Sequence, residues 1–167
     1  FEYIGYAVVN GFAQSATTFV GQNYGAKKMD RCRKIWKQAL FAGMGIALVI
    51  DLCIVLLRVP LAHLFTSDPE VIPHAVQRIL QIMSLHWILG SYEITGSALR
   101  VYGRSLLPAL LTVFGTCVVR ILWVYLVNTC FHSFTMLLLV YPISWIVTGI
   151  LVIGYYFMVR KKIESGI

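Results

Sequence analysis

Charged residues are scarce in this sequence. Only 13% of the 167 residues are Asp, Glu, Lys or Arg, whereas 59% are hydrophobic and the mean hydropathy is +0.78. A soluble domain typically has about 25% charged and about 45–50% apolar residues. A soluble fold of this size would lack the charged surface that it needs. The composition therefore predicts an integral membrane protein.

The usual motifs of enzyme and cofactor sites are also missing. The sequence contains no Gly-x-Gly-x-x-Gly, no Walker phosphate loop, no His-Glu-x-x-His and no paired-aspartate motif of the membrane prenyltransferases. Its four cysteines show no Cys-x-x-Cys or metal-ligand spacing, and three lie within or at the end of apolar runs, which is typical of buried thiols. We therefore predict a protein that is not an enzyme, with no catalytic residue, no metal and no cofactor.

Five apolar segments are each about long enough to cross a bilayer, whose core of about 30 Å needs about 20 helical residues. They run approximately over residues 3–20, 39–57, 76–99, 106–127 and 134–158. No linker separates them, so they predict one all-α domain over residues 1–167, a polytopic membrane helix bundle of about five transmembrane helices. Pro108 and Pro142 are predicted to bend the last two helices.

The connections between these segments alternate in charge. Eleven of the 14 Lys and Arg residues lie in the first and third connections and after the last segment, whereas the stretch FTSDPEVIPH of the second connection, residues 65–74, contains Asp68 and Glu70 and no Lys or Arg. Because basic residues are retained on the cytoplasmic side, this alternation predicts that these basic segments and the C-terminus face the cytoplasm. Topology thus explains the net charge of +7, and no nucleic-acid partner is needed. The same bases could also bind anionic lipid head groups.

Ionisable side chains within the predicted spans are candidates for function, because such residues are rare in membrane helices. Glu93 lies about 10 Å from the cytoplasmic end of its span, by the 1.5 Å rise per residue. Polar residues of this span share one helix face, at steps of four and three: His86, Gly90, Glu93, Ser97 and Arg100. A carboxylate at that depth can take up and release a proton or Na⁺. His86 is either a second titrating group or a hydrogen-bonding residue between helices.

A similar polar stripe in the first span contains Asn10 and Gln14, and Gln14 lies at about the same depth as Glu93. The two stripes predict either a wet cavity or a tight seam between helices. Asp51 and Arg120 lie deeper, roughly 21 Å and 24 Å from the cytoplasmic ends of their spans. Because an unpaired buried charge is costly, their matched depth predicts a structural ion pair.

Several stretches resemble one transporter family. GFAQSATTFVGQNYGAKKMDRCRK, residues 11–34, resembles the end of the eighth helix and the following loop of multidrug and toxic compound extrusion (MATE) transporters. LFTSDPEVI, residues 64–72, resembles the outer loop between helices nine and ten. GSALRVYGRSLLPALLT, residues 96–112, resembles the junction of helices ten and eleven, and CVVRILWVYLV, residues 117–127, is also similar to the family.

This resemblance implies twelve helices in two six-helix lobes, of which the chain would form helices eight to twelve. It implies export of drugs or organic cations across the cell membrane in exchange for H⁺ or Na⁺, by alternating access. The partners would be the lipid bilayer, the small organic substrate and an N-terminal lobe absent from this sequence. Val101 replaces the family's usual glycine, and Arg104 stands where an acidic residue is common. The position of a cation-binding aspartate on helix ten falls near the apolar Ile88, so the coupling ion stays open.

Two other functions are compatible with the sequence. A flippase of lipid-linked precursors or polysaccharides, from the same superfamily, would need several arginines facing a cavity, and only Arg120 lies at depth. A non-transporting membrane scaffold would need neither a cavity nor ionisable residues.

Overall fold

The computed structural model describes residues 1–130 and 134–164, which form helices and no strand. The helices are α1 (Glu2–Gly25), α2 (Met29–Leu56), α3 (Arg58–His63), α4 (Val71–His86), α5 (Leu89–Val101), α6 (Leu106–Val113), α7 (Val119–Cys130), α8 (Phe134–Leu138) and α9 (Val140–Glu164). A π-helical turn, Phe114–Val118, joins α6 to α7. The predicted all-α membrane helix bundle is confirmed.

Three of the five predicted spans have the length and apolar character that crossing a membrane requires. Within the described residues they are Met29–Leu56, Leu106–Val127 and Phe134–Ile163. The predicted first span lies within α1, whose 24 residues extend over about 36 Å but include the polar stripe. The predicted third span is not one helix, because it is divided between α4 and α5.

The break between α4 and α5 lies at Trp87 and Ile88, where the sequence has no proline. The Ile88 amide donates to the Leu85 carbonyl at 3.1 Å, three residues back rather than four. That tighter turn leaves the Ser84 carbonyl without the amide that a regular α-helix would supply. The indole Nε1 of Trp87 donates to this carbonyl at 3.2 Å and replaces the missing bond.

Proline explains the second interruption. Pro142 has no N–H to offer the Leu138 carbonyl, so α8 ends at Leu138 and α9 begins at Val140. The sequence predicted a bend at Pro142, and the structure has an interruption between α8 and α9 just before this residue. Pro108 is the third residue of α6, where no intrahelical donor is needed, and the bend predicted there stays a prediction.

The basic segment after the first span is mostly helical. Only residues 26–28 form the turn, and α2 already begins at Met29, so most of the bases lie on its first turns. Gly25 is the last residue of α1, but the left-handed conformation is adopted by Lys27, with φ 57°. The Lys27 and Lys28 amides donate to the carbonyls of Tyr24 and Asn23 at 2.9 Å, which satisfies the end of α1.

Small residues let three helices approach each other closely. Ala39, Gly43 and Ala47 follow one another at four-residue steps on α2 and face α1 and α5. A Cβ atom at Gly43 would lie 2.7 Å from Cδ1 of Ile94 and 3.0 Å from Cβ of Phe12, so no larger residue fits. This stripe brings the next residue of the series, Asp51, into the centre of the bundle.

The π-helical turn packs against α9. A Cβ atom at Gly115 would lie 3.1 Å from the Cα atom of Thr148, and it would also collide with the hydroxyl of that residue. Glycine is thus required where the two helices touch.

The outside of the bundle is apolar. Large side chains on several helices are between 67% and 75% exposed: Phe41, Leu56, Ile121, Tyr125 and Ile150. Patches of this kind on an otherwise packed bundle are expected where lipid replaces water. Among the described residues the buried polar or charged side chains are Asp51, His86, Ser91, Thr95, Ser97, Ser144 and Thr148.

Candidate functional site

Asp51 of α2 and His86 of α4 form a buried ionisable pair. They are 1% and 2% exposed, and the Oδ2 atom of Asp51 lies 3.3 Å from Nδ1 of His86. The distance suits an ion pair, but the ring nitrogen and the carboxylate are not aligned for a hydrogen bond, and neither carboxylate oxygen has a hydrogen-bond donor among the described residues. Ionisable groups buried inside a membrane helix bundle are candidates for function.

The pair is enclosed by four helices. Gly5 of α1 lies against it, because a Cβ atom there would be 2.8 Å from both Oδ1 of Asp51 and Cε1 of His86. On the α9 side the Trp145 ring meets the imidazole edge-on, with 5.4 Å between the ring centroids. His86 is held where α4 ends, just before the break, so its position depends on that interruption.

The predicted ion pair between Asp51 and Arg120 is not formed. Nε of Arg120 donates to Oγ of Ser144 at 3.1 Å, and the guanidinium carbon lies 4.9 Å from the centroid of the Tyr141 ring. Matched depth along two helices says nothing of the direction in which each side chain points. Asp51 points towards His86, and Arg120 points towards α9.

Arg120 and His86 instead line the same cavity, which has a volume of about 310 Å³. Five aromatic side chains contribute to its wall: Tyr3, Tyr6, Tyr92, Tyr141 and Trp145. Glu2 lines it as well, and its Oε1 atom accepts a hydrogen bond from Nη2 of Arg78 at 3.0 Å. The cavity thus combines aromatic surface with two basic groups and one compensated acid.

The other predicted site residues lie outside this cavity. Glu93 is half-buried on α5, Asn10 is half-buried and Gln14 is exposed. The structure shows no hydrogen bond between Glu93 and Gln14. Gly90, between His86 and Glu93, faces α1 and α2, since a Cβ atom there would lie 2.9 Å from Cγ of Met44. The stripe is therefore a packing seam at Gly90 rather than one continuous polar face.

Sequence reasoning missed the aromatic wall and Ser144. Tyr141 and Ser144 lie three residues apart on α9, and the Ser144 hydroxyl donates to the Tyr141 carbonyl at 2.8 Å while accepting from Arg120. The sequence did offer a signal for this site: Ser144 follows Tyr141 by one turn in one predicted span, and Arg120 lies in the neighbouring span. Among the described residues no group of three His, Cys, Asp or Glu side chains could hold a metal ion.

Packed helices, an apolar exterior and ionisable groups in the interior define a multi-pass helical membrane protein. The family model MatE matches residues 1–126 of the sequence. The chain therefore belongs to the MatE family, as the resemblance in its motifs implied.

Three relatives are similar over parts of the chain. Multidrug and toxin extrusion protein 1 of Danio rerio is 30% identical over 67% of this chain and 19% of its own length. The probable multidrug resistance protein YoeA of Bacillus subtilis is 25% identical over 93% of this chain and 34% of its own length. The probable multidrug resistance protein NorM of Pasteurella multocida is 33% identical over 53% of this chain and 19% of its own length. The chain thus spans between about a fifth and a third of these relatives.

Proposed function

We propose that the protein containing this chain is a secondary active antiporter, which exports drugs or organic cations in exchange for H⁺ or Na⁺ by alternating access. The names of the relatives support export of drugs or toxins. The observation that carries the exchange is the presence of ionisable groups inside the helices of a membrane protein, above all the buried pair of Asp51 and His86. An N-terminal lobe outside this sequence would complete the transporter.

Glu93 is the first candidate for ion coupling. It is half-buried, it carries no ion pair with a described residue, and the Arg100 side chain about two turns away donates to Ser97 at 2.6 Å. A carboxylate without a fixed partner can bind a proton or Na⁺ in one access state and release it in the other. Exchange requires only that the ion and the substrate favour different states.

Replacement of Glu93 by glutamine is expected to abolish ion-driven efflux without loss of folded protein, because Glu93→Gln keeps the shape and removes the exchangeable charge. The measurement is efflux of ethidium by the full-length protein in vesicles with an imposed H⁺ or Na⁺ gradient. Glu70→Gln is the matched control, since Glu70 is exposed at the start of α4, and it should transport normally. Full efflux by Glu93→Gln would exclude the coupling role.

The buried pair favours H⁺ over Na⁺ as the coupled ion. An imidazole nitrogen can bind a proton, whereas Na⁺, like other hard cations, prefers oxygen ligands. One proton shared by Asp51 and His86 would compensate two groups that lack other partners. Efflux driven by an H⁺ gradient in the absence of Na⁺ is the corresponding expectation in the same vesicles.

We further propose that the protein lies in the cell membrane with the residues 26–28 turn and the C-terminus in the cytoplasm. Lys28 and Ser67 are both exposed, near opposite ends of α2, whose 28 residues extend over about 42 Å. In a background without native cysteines, Ser67→Cys should react with an impermeant maleimide on intact cells, and Lys28→Cys should react only after permeabilisation. Labelling of Lys28→Cys from outside would reverse the orientation.

A further inference from the structure

We propose that the cavity at Arg120 is a binding site for an aromatic compound that carries a carboxylate. This inference rests on the proposed transport function and goes beyond it, because it adds aromatic carboxylates to the drugs and organic cations proposed as substrates. It rests on the position of Arg120, on the charge balance of the cavity and on its wall.

Arg120 is held in place by two contacts that leave its charge available. Nε donates to Oγ of Ser144 at 3.1 Å, and the guanidinium lies over the Tyr141 ring at 4.9 Å. Ser144 is itself fixed through its bond to the Tyr141 carbonyl. Within residues 1–130 and 134–164 no carboxylate lies within ion-pair distance of Arg120. A pre-positioned guanidinium without an acidic partner is suited to bidentate binding of a carboxylate.

The charges of the cavity do not cancel without a ligand. Glu2 is the acidic residue that lines it, and that carboxylate is already paired with Arg78 at 3.0 Å. His86 faces Asp51, which would balance its charge if the imidazole were protonated. Arg120 is therefore the uncompensated charge, and in a membrane interior a positive group of this kind favours an anion.

The wall fits a flat ring. Tyr3, Tyr6, Tyr92 and Trp145 offer aromatic surface beside Arg120, and ring pairs are stabilised in offset or edge-on arrangements. The volume of about 310 Å³ lies at the lower end of the usual range for small-molecule sites, about 300–1,000 Å³. A compound of one or two rings, with its carboxylate at Arg120, matches both features.

The test is calorimetric binding of three probes to the purified full-length protein: 2-naphthoate, the uncharged 2-naphthamide and the cationic 2-naphthyltrimethylammonium. We expect naphthoate to bind at least about tenfold more tightly than the other two, because a hydrogen-bonded charge adds that much. Arg120→Gln should weaken naphthoate binding about 10- to 100-fold and naphthamide binding less than about threefold. Arg31→Gln, at an exposed arginine near the start of α2, should change neither.

A second Arg120 variant and an efflux measurement complete the test. Arg120→Lys retains the charge but lacks the planar guanidinium, so it should bind naphthoate about tenfold more weakly. This variant tests the site even if Arg120→Gln is not recovered as folded protein. Equal binding of naphthoate and naphthamide by the unaltered protein would overturn the inference. So would unchanged naphthoate binding by both Arg120 variants. Efflux of ethidium and of 2-naphthoate is measured on the same preparation: selective binding of naphthoate with efflux of neither compound would support this site and remove the antiporter proposal.

Discussion

Replacement of His86 by alanine is expected to lower the stability of the bundle by about 3–5 kcal/mol, because it leaves the Asp51 carboxylate buried without its charged or polar neighbour. Asp51 is 1% exposed, and neither of its carboxylate oxygens accepts a hydrogen bond from a described residue. The measurement is the folded yield and the melting temperature of the detergent-solubilised protein. His63→Ala, at an exposed histidine at the end of α3, should have little effect.

The double variant shows whether the two groups interact. Asp51→Ala with His86→Ala should be more stable than the sum of the single losses predicts, by about 0.5–3 kcal/mol, which is the usual coupling of contacting residues. Asp51→Ala with Arg120→Ala should be additive, since these side chains point to different partners. Coupling of Asp51 to Arg120, and none to His86, would contradict the arrangement described here.

Replacement of Trp36 by alanine is the second change with a large expected effect, about 3–5 kcal/mol of stability. The side chain is 4% exposed and lies on α2, where its Nε1 donates to the Thr95 hydroxyl of α5 at 3.2 Å. Its ring also stacks on Tyr156 of α9, with 4.2 Å between the centroids. One residue thus connects three helices, and its removal opens a cavity where they meet.

Two variants separate the contributions of Trp36. Trp36→Phe keeps most of the stack and loses the hydrogen bond, so it should cost about 1 kcal/mol. Trp87→Ala removes a half-buried indole at the helix break and should cost less than Trp36→Ala. The melting temperatures of Trp36→Ala, Trp36→Phe and Trp87→Ala rank the three losses of stability. A loss for Trp87→Ala as large as that for Trp36→Ala would show that the contact with Tyr156 is not the main source of stability.

The all-α membrane bundle could be predicted from the sequence, because it depends on composition and on the length of the apolar segments. A disturbance of the helix at Pro142 could also be predicted from the sequence, since proline has no backbone N–H to donate. The break at Trp87 and Ile88 was not, because it depends on an indole that reaches the Ser84 carbonyl and replaces a backbone bond. Such a contact has no signature in apolar periodicity.

The candidate site was predicted only in part, for a related reason. His86 and Asp51 were recognised as unusual residues, but their partnership depends on the rotation of each helix about its axis. Depth from the rise per residue gives no information on that rotation, so Asp51 was matched to Arg120 instead of His86. The aromatic wall of the cavity comes from three different helices, and no local pattern joins them.

The π-helical turn at Phe114–Val118 sets the direction in which the side chains of α7 point around the helix axis. A turn of this kind accommodates one more residue than an α-helical turn, and each residue advances a helix by about 100°. Deletion of one residue from the turn would therefore let the helix run on regularly with Arg120 still directed at Ser144. A regular α-helix that kept every residue would instead turn Arg120 about 100° around the axis and away from Ser144. The extra residue of the turn thus directs the guanidinium into the cavity, although no residue of the turn lines that cavity.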